Sequence, residues 1–289
     1  MANLQNIHLR PMVYEDIPAA MSLKEQAGWN QSPQDWEMLL GASAGGCFVA
    51  ESNQIVMGTI TTITYQTGFS WLGMLLVSPA YRRQGIGTRL LQIAVNNALT
   101  YGPVWLDATP AGEQLYSTIG FVCHSSLIRL LRPAGHIQFP DDAADALQLN
   151  HLSSVSLYDT PQFGAQRYAI LKNLYNRASE YAYGVGWETV SYPVSKGYCM
   201  GRAGTKFEHI GPVVADNIDV AKRLVHTVLA QHHRKPFIID VDTRHSVWIA
   251  WLHDIGFRTQ RTFTRMALGS SRLSNIVDQI FAIAGPEIG

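Results

Sequence analysis

Two hydrophobic periodicities organise the chain. Apolar and polar residues alternate along Gly46–Glu51 and Ile55–Tyr65, and the short connection Ser52-Asn53-Gln54 predicts a hairpin between them. Trp71–Val77 is an apolar run that predicts the next strand. Ser78-Pro79 ends it, because proline offers no N–H to a ladder. Over Gly87–Thr100 the apolar positions Leu90, Leu91, Ala94, Val95 and Ala98 recur at helical spacing. Gly102-Pro103 breaks that helix. Val104–Ala108 then predicts a buried strand, Gly112–Thr118 a helix stopped by Gly120, and Phe121–Leu131 a further strand. Upstream, Ile7–Pro11 predicts a strand. Tyr14-Glu15-Asp16 opens a helix to Ala27, with its acids in the first turn, where the helix dipole favours them. Ser32 and Pro33 cap and start a second helix, Gln34–Leu40.

The second half repeats this outline after a linker, Arg132-Pro133-Ala134-Gly135 and Phe139-Pro140-Asp141-Asp142. Two domains are expected, 1–135 and 136–289. Ile210–Ala215 stands for the central strand, Val220–Leu229 for its helix, Pro236–Val241 for the buried strand and Ser246–Asp254 for the next helix. Ile255-Gly256-Phe257 echoes Ile119-Gly120-Phe121, and the interval from Val77 to Gly120 equals that from Val213 to Gly256. A duplicated unit accounts for this.

Composition narrows the function. With 47% hydrophobic residues the 289-residue chain, long enough for one large domain or two of ordinary size, can bury a sizeable core. Charged residues make up 15% and the net charge is zero, without the basic stripe of a nucleic-acid binder. Cys47, Cys123 and Cys199 lie far apart without CxxC spacing, which predicts neither a disulfide framework nor a zinc site, and fits a reducing compartment. The opening MANLQNIHLR is polar and no apolar run reaches the length of a membrane span, so a cytoplasmic protein with no membrane partner is expected.

Candidate chemistry concentrates in Arg82-Arg83-Gln84-Gly85-Ile86-Gly87-Thr88. The glycines let a ligand approach the backbone, and a helix starting here aims free N–H groups and its positive dipole end into the turn. Two arginines add charge, so the turn suits an anion such as a pyrophosphate. No Gly-Lys-Ser/Thr follows, which excludes a Walker loop. The third glycine and the ribose-binding acid of a dinucleotide fingerprint are also missing.

Downstream lies Glu113–Phe121, EQLYSTIGF. The pair of motifs resembles the GNAT superfamily of N-acetyltransferases, over roughly residues 5–132. Combined with the duplication, the resemblance implies an α/β (α+β) class: tandem GNAT folds, each a mixed, mostly antiparallel sheet flanked by helices. GWNQ with Asp35-Trp36, DATPAG, Phe163-Gly164-Ala165-Gln166-Arg167, Ile210-Gly211-Pro212 and Phe281–Glu287 look like those of a two-domain subfamily. The family implies acetyl-coenzyme A as co-substrate, direct attack by an amine, and no metal. In it, the backbone of Leu75, Leu76 and Val77 would hold the pantetheine and polarise the thioester carbonyl, and Arg82–Thr88 would hold the pyrophosphate. Tyr116 matches the family tyrosine that protonates the leaving thiolate, and also fits a core aromatic role.

The acceptor side is less determined. Trp29, Asn30 and Gln31 either line the acceptor pocket or cover the core with the amides in water. Asp107, in DATPAG, can serve as base, bind the substrate ammonium or cap the turn. Arg167 can face the cleft and hold an acidic group of the acceptor, or pair with Asp159 and lock its turn. Cys123 and His124 are neighbours on a strand and point to opposite faces, so they form no nucleophilic pair. His232-His233 beside Arg234-Lys235 reads as a helix-end cap, not a metal site. At the repeat interval, Ile218–Arg223 stand opposite Arg82–Gly87 and Leu252 opposite Tyr116. The second unit is therefore expected to lack a working coenzyme site. The acceptor is expected to be a small amine, with a protein lysine or N-terminus, or a non-catalytic coenzyme-responsive module, as alternatives. The oligomeric state is left open.

Overall fold

The computed structural model describes residues 7–43, 45–66, 68–138, 140–187, 196–269 and 277–289. The first six residues of the polar opening and Phe139 of the linker lie outside the described residues.

The elements in chain order are β1 (His8–Pro11), α1 (Ile17–Gln26), α2 (Pro33–Ala42), β2 (Phe48–Ser52), β3 (Ile55–Tyr65), β4 (Phe69–Val77), α3 (Ile86–Ala98), β5 (Val104–Ala108), α4 (Pro110–Thr118) and β6 (Val122–Arg132). There follow β7 (Asp145–Ala146), α5 (Leu152–Phe163), α6 (Tyr168–Ala178), β8 (Tyr183–Val185), β9 (Gly197–Ala203), β10 (Glu208–Ala215), α7 (Ile218–Gln231), β11 (Phe237–Asp242), α8 (Ser246–Asp254), β12 (Arg258–Leu268) and β13 (Ile280–Ala282). The expected elements are present, with ends shifted by up to three residues.

The chain forms two compact units. The first comprises Met1–His124 with Met266–Ser271 and Ile288, and the second Ser125–Arg265 with Arg272–Glu287 and Gly289. The division therefore falls inside β6, ahead of the linker at which the sequence places the break. Most of β6 belongs to the second unit, where it runs antiparallel to β11 from Arg132↔Phe237 to Leu127↔Asp242. The end of β12 belongs to the first, with Met266 buried in that core.

In the first unit the order β1-β2-β3-β4 is antiparallel, and β5 lies parallel to β4. Leu90, Leu91, Ala94, Val95 and Ala98 of α3 are buried against the sheet, as their spacing requires. Gly58 permits that close approach: a Cβ there would lie 2.8 Å from the Leu76 carbonyl oxygen and 3.0 Å from a Leu90 methyl. In the second unit the order is β7-β8-β9-β10-β11-β6, parallel only between β10 and β11. Every residue of β10 and β11 is buried.

A charged ladder crosses that second sheet. Arg129 donates to both carboxylate oxygens of Asp240 at 2.7 Å, and His209 Nε2 lies 3.2 Å from Asp240 Oδ2. Arg202, opposite His209, pairs with Glu287. Burial alone would raise the Asp240 pKa, but the Arg129 charge and hydrogen bonds hold the carboxyl well below the usual range. Burial, helped by nearby Arg202, lowers His209 and keeps its imidazole neutral. An unfolded histidine titrates near about 6.5, so the unfolded chain takes up this proton first as pH falls. The His209 contribution to stability is thus complete above that pH and is lost below it; that of Asp240 is lost only below the ordinary carboxylate range. Urea denaturation should therefore show stability falling between pH 7 and 5, and His209→Gln should flatten that slope. An unchanged slope in the variant would remove His209 as its source.

Candidate active site

The first unit's site starts from a register error built into its sheet. Thr59 pairs with Leu76 but Thr61 with Gly73, so β4 carries one residue more than β3 across this interval. The extra residue makes a bulge. Met74 sits there with φ +49°, a conformation that costs a non-glycine residue energy. The buried Thr59 hydroxyl donates to the Met74 carbonyl at 2.9 Å and holds the bulge in place.

Beyond the bulge the two parallel strands part. β4 and β5 pair only at Ser70↔Val104 and Trp71↔Trp105, although β4 continues to Val77 and β5 to Ala108. Leu75 and Val77 pack on the core beneath α3, and Leu76 is buried. The backbone of Leu75–Val77, which does not pair with β5, thus forms one arm of a wedge. Asp107, half-buried on β5, stands on the other.

The wedge leads to the glycine-arginine turn. Arg82, Arg83 and Gln84 are exposed, while Ile86 is buried and anchors the helix start. Arg83 and Gly85 both take the left-handed conformation, at φ +60° and +79°. Arg82 Nε donates to the Val77 carbonyl at 3.0 Å, tying the turn to the end of β4. Gly85 is the N-cap of α3, and no side chain caps that end. Its first N–H groups and dipole therefore face the turn. Gly87 is flanked by the Val77 and Leu115 methyls at 3.6 and 3.7 Å from its Cβ position, so α4 approaches this same end of α3.

Tyr116 projects from α4 onto the core and meets Phe121 edge-on at 5.9 Å between ring centres. Gly112, one turn earlier, leaves room: a Cβ there would come within 3.1 Å of the Tyr116 ring. Burial raises the Tyr116 pKa above the ordinary phenol value, so at neutral pH the hydroxyl carries its proton.

On the α1–α2 side, the Trp29 N–H donates to the Lys24 carbonyl at 3.1 Å, and Trp29 is half-buried. Asn30 and Gln31 are buried at 8% exposure each, which discards the alternative that their amides face water. Ser32 donates its N–H (2.7 Å) and hydroxyl (3.0 Å) to Asp35 and fixes the start of α2. The spacing of these two residues is that of a capping box, a signal present in the sequence.

Arg167 belongs to the second unit. Its guanidinium donates to both Asp159 oxygens at 2.8 and 2.9 Å, donates to the Gly289 carbonyl at 3.1 Å, and lies 3.9 Å from the Phe163 ring centre. Both partners are buried. This is the turn-locking arrangement, not the acceptor-facing one.

The second unit keeps the diverging strands but not the turn. Ser78 to Gly85 separate β4 from α3, whereas only Asp216 and Asn217 separate β10 from α7. The register that set Ile218–Arg223 opposite Arg82–Gly87 therefore fails, because those six residues are already helix. Asn217 caps α7, its side chain accepting from the Asp219 and Val220 N–H groups at 3.1 and 3.0 Å. The donors left open in the first unit are satisfied within the chain here. Leu252, opposite Tyr116, is fully buried and apolar.

Residues 43–123 match a family model described as an acetyltransferase (GNAT) domain, and residues 155–282 match a second model of the same description. The chain is a tandem member of the GNAT family. Holothin acyltransferase of Pseudoalteromonas sp. (strain SANK 73390) is 24% identical over 262 residues, 90% of this chain and 87% of that one. YitH of Bacillus subtilis (strain 168), an uncharacterized N-acetyltransferase, is 23% identical over 84% of this chain and 85% of its own. A Pyrococcus horikoshii protein assigned as an acetyltransferase shares the fold over 100% of this chain and 99% of its own, with TM-score 0.81 and 21% identity. A tandem GNAT protein from the clavulanic acid biosynthesis pathway shares it over 91% and 98%, with TM-score 0.62 and 13% identity. Among the described residues of this GNAT protein, no three His, Cys, Asp or Glu gather as a metal site, and no helix is long and apolar enough to cross a membrane.

The placement of Arg167 yields a direct test. Arg167→Ala leaves the buried Asp159 carboxylate without its cation and should lower the unfolding free energy by about 3–5 kcal/mol. Unchanged stability, measured by urea denaturation, would reopen the acceptor role for Arg167.

Proposed function

We propose that the protein is an N-acetyltransferase that moves an acetyl group from acetyl-coenzyme A to a primary amine, by direct attack while both are bound. The observation that carries this reading is the coincidence, in one unit only, of a strand wedge, an uncapped helix start with two arginines, and a half-buried, protonated phenol packed on the core. The assignment to a family of acyltransferases supports it.

In this reading the N–H groups at the start of α3, with Arg82–Thr88, bind the pyrophosphate. The free backbone edge of Leu75–Val77 holds the pantetheine arm and offers an N–H to the oxyanion that develops on the thioester carbonyl. The amine nitrogen attacks the carbonyl carbon, the C–S bond breaks, and the thiolate takes the proton of the Tyr116 hydroxyl. Asp107, on the facing arm, takes the amine proton directly or through water. Trp29, Asn30 and Gln31 border the acceptor. A small-molecule amine is the favoured acceptor, since the neutral chain presents no charge excess for a polymer, and the Pseudoalteromonas relative bears the name of an enzyme acting on holothin.

Two results are expected. Tyr116→Phe should lower kcat about a hundredfold or more while acetyl-coenzyme A binding stays near normal; undiminished turnover would end the acid role. Arg83→Ala should weaken acetyl-coenzyme A binding about tenfold, the scale of one charge-assisted hydrogen bond. Gly85→Asp should weaken it further, because it adds a side chain in a left-handed conformation and a negative charge. Calorimetry showing no loss in either variant would remove the pyrophosphate assignment. A screen of small amines, amino acids and peptides identifies the acceptor.

A further inference from the structure

The second unit also has two parallel strands that part, and its wedge is filled. β10 and β11 pair at Glu208↔Phe237, His209↔Ile238 and Ile210↔Ile239, and then the register of β10 breaks between Ile210 and Val213. Past that break β10 takes a new neighbour. β13 runs antiparallel to it, with Val213↔Ala282 and Val214↔Ile280. The next residue, Ile283, donates its N–H to the carbonyl of Asp240 on β11 at 3.1 Å. One short extended segment therefore bonds to both diverging strands.

The fit is close. A Cβ on Gly211 would lie 2.0 Å from the Ile283 carbonyl oxygen, so glycine is required at the point of contact. Phe281, Ala282 and Ile283 are each at most 5% exposed, and Phe281 and Ala282 join the core of the second unit. The Trp248 indole N–H donates to the Phe281 carbonyl at 2.9 Å. Downstream, Arg202 donates to the Ala284 carbonyl at 2.5 Å and pairs with Glu287, which holds the segment from its far side.

We propose that Ile280–Ile283 is an internal ligand of the second unit, a peptide strand occupying the groove that the pantetheine arm occupies in the first. The comparison with the first unit rests on the acetyl-transfer reading; the occupation of the groove does not. A groove between diverging strands leaves backbone donors and acceptors unpaired, and buried groups of that kind are costly. A bound coenzyme answers this in one unit and the chain's own strand in the other. The second unit is in this sense permanently liganded. Its turn is short and Asn217 closes the helix start, so no pyrophosphate site competes for the groove.

Hydrogen exchange on the full-length chain tests this. The amides of Ala282 and Ile283 should exchange as slowly as those of β10 without any added ligand. Saturating acetyl-coenzyme A should slow exchange in Gly73–Val77 and leave Ile280–Ile283 unchanged. Ile283→Pro, which removes the N–H, should speed exchange at Ala282 about tenfold, the factor set by one net hydrogen bond, whereas Ile283→Ala, which keeps it, should not. Fast exchange of these amides in the wild-type chain, or faster exchange there when coenzyme is added, would overturn the proposal. Slow exchange at Ile280–Ile283 with no coenzyme effect at Gly73–Val77 would instead count against the acetyl-transfer reading and leave the internal ligand standing.

Discussion

The site depends on one constraint: β4 and β5 stop pairing after Trp71↔Trp105 while both strands continue. Parallel strands inside a protein normally pair along their length, because buried backbone groups require partners. Here the Met74 bulge, pinned by the Thr59 hydroxyl, turns β4 out of register and leaves a wedge. The strain of a left-handed methionine is retained because the residue is buried and over-determined by its neighbours. In the proposed reading this wedge takes the extended, amide-containing arm of the coenzyme, and the uncapped start of α3 supplies the charge complement.

Duplication exposes which parts of this arrangement are fold and which are chemistry. Both units have the diverging strands, the helix after the central strand and the glycine that ends the following helix. Only the first has the long turn, the left-handed Arg83 and Gly85 and the phenol. The second has a two-residue connection, an asparagine cap and a leucine. Its interior is specified by other means, through the Arg129–Asp240 pair and the Arg202–Glu287 pair that holds the tail. Such buried ion pairs add little net stability but are costly to break singly.

What could be read from the sequence follows the range of the interactions. The turn at Arg82–Thr88, the helix α3 and the Tyr116 segment are local patterns, and the structure has them where the periodicity puts them. The capping pair Ser32–Asp35 was equally open to reading. The Met74 bulge was not, because it arises from the register of β3 against β4 and no local pattern marks it. β13 was hidden for the same reason: its partners lie some forty to seventy residues upstream, at Asp240 and Val213. The equal interval at both ends of the repeat conceals a shorter turn in the middle, so α7 already runs where the repeat register sets the turn. The chain passes from one compact unit to the other inside β6, ahead of the linker, since a proline-rich linker marks a loop but not which unit a preceding strand pairs with. For Arg167 both readings were available, and burial beside Asp159 decides between them.

In the proposed reading, two similar scaffolds in one chain provide one coenzyme site, because the wedge of the second is filled from within. Calorimetric titration of the full-length protein with acetyl-coenzyme A tests it most directly. The account predicts saturation at one coenzyme per chain; saturation at two per chain, or no binding at all, would contradict it.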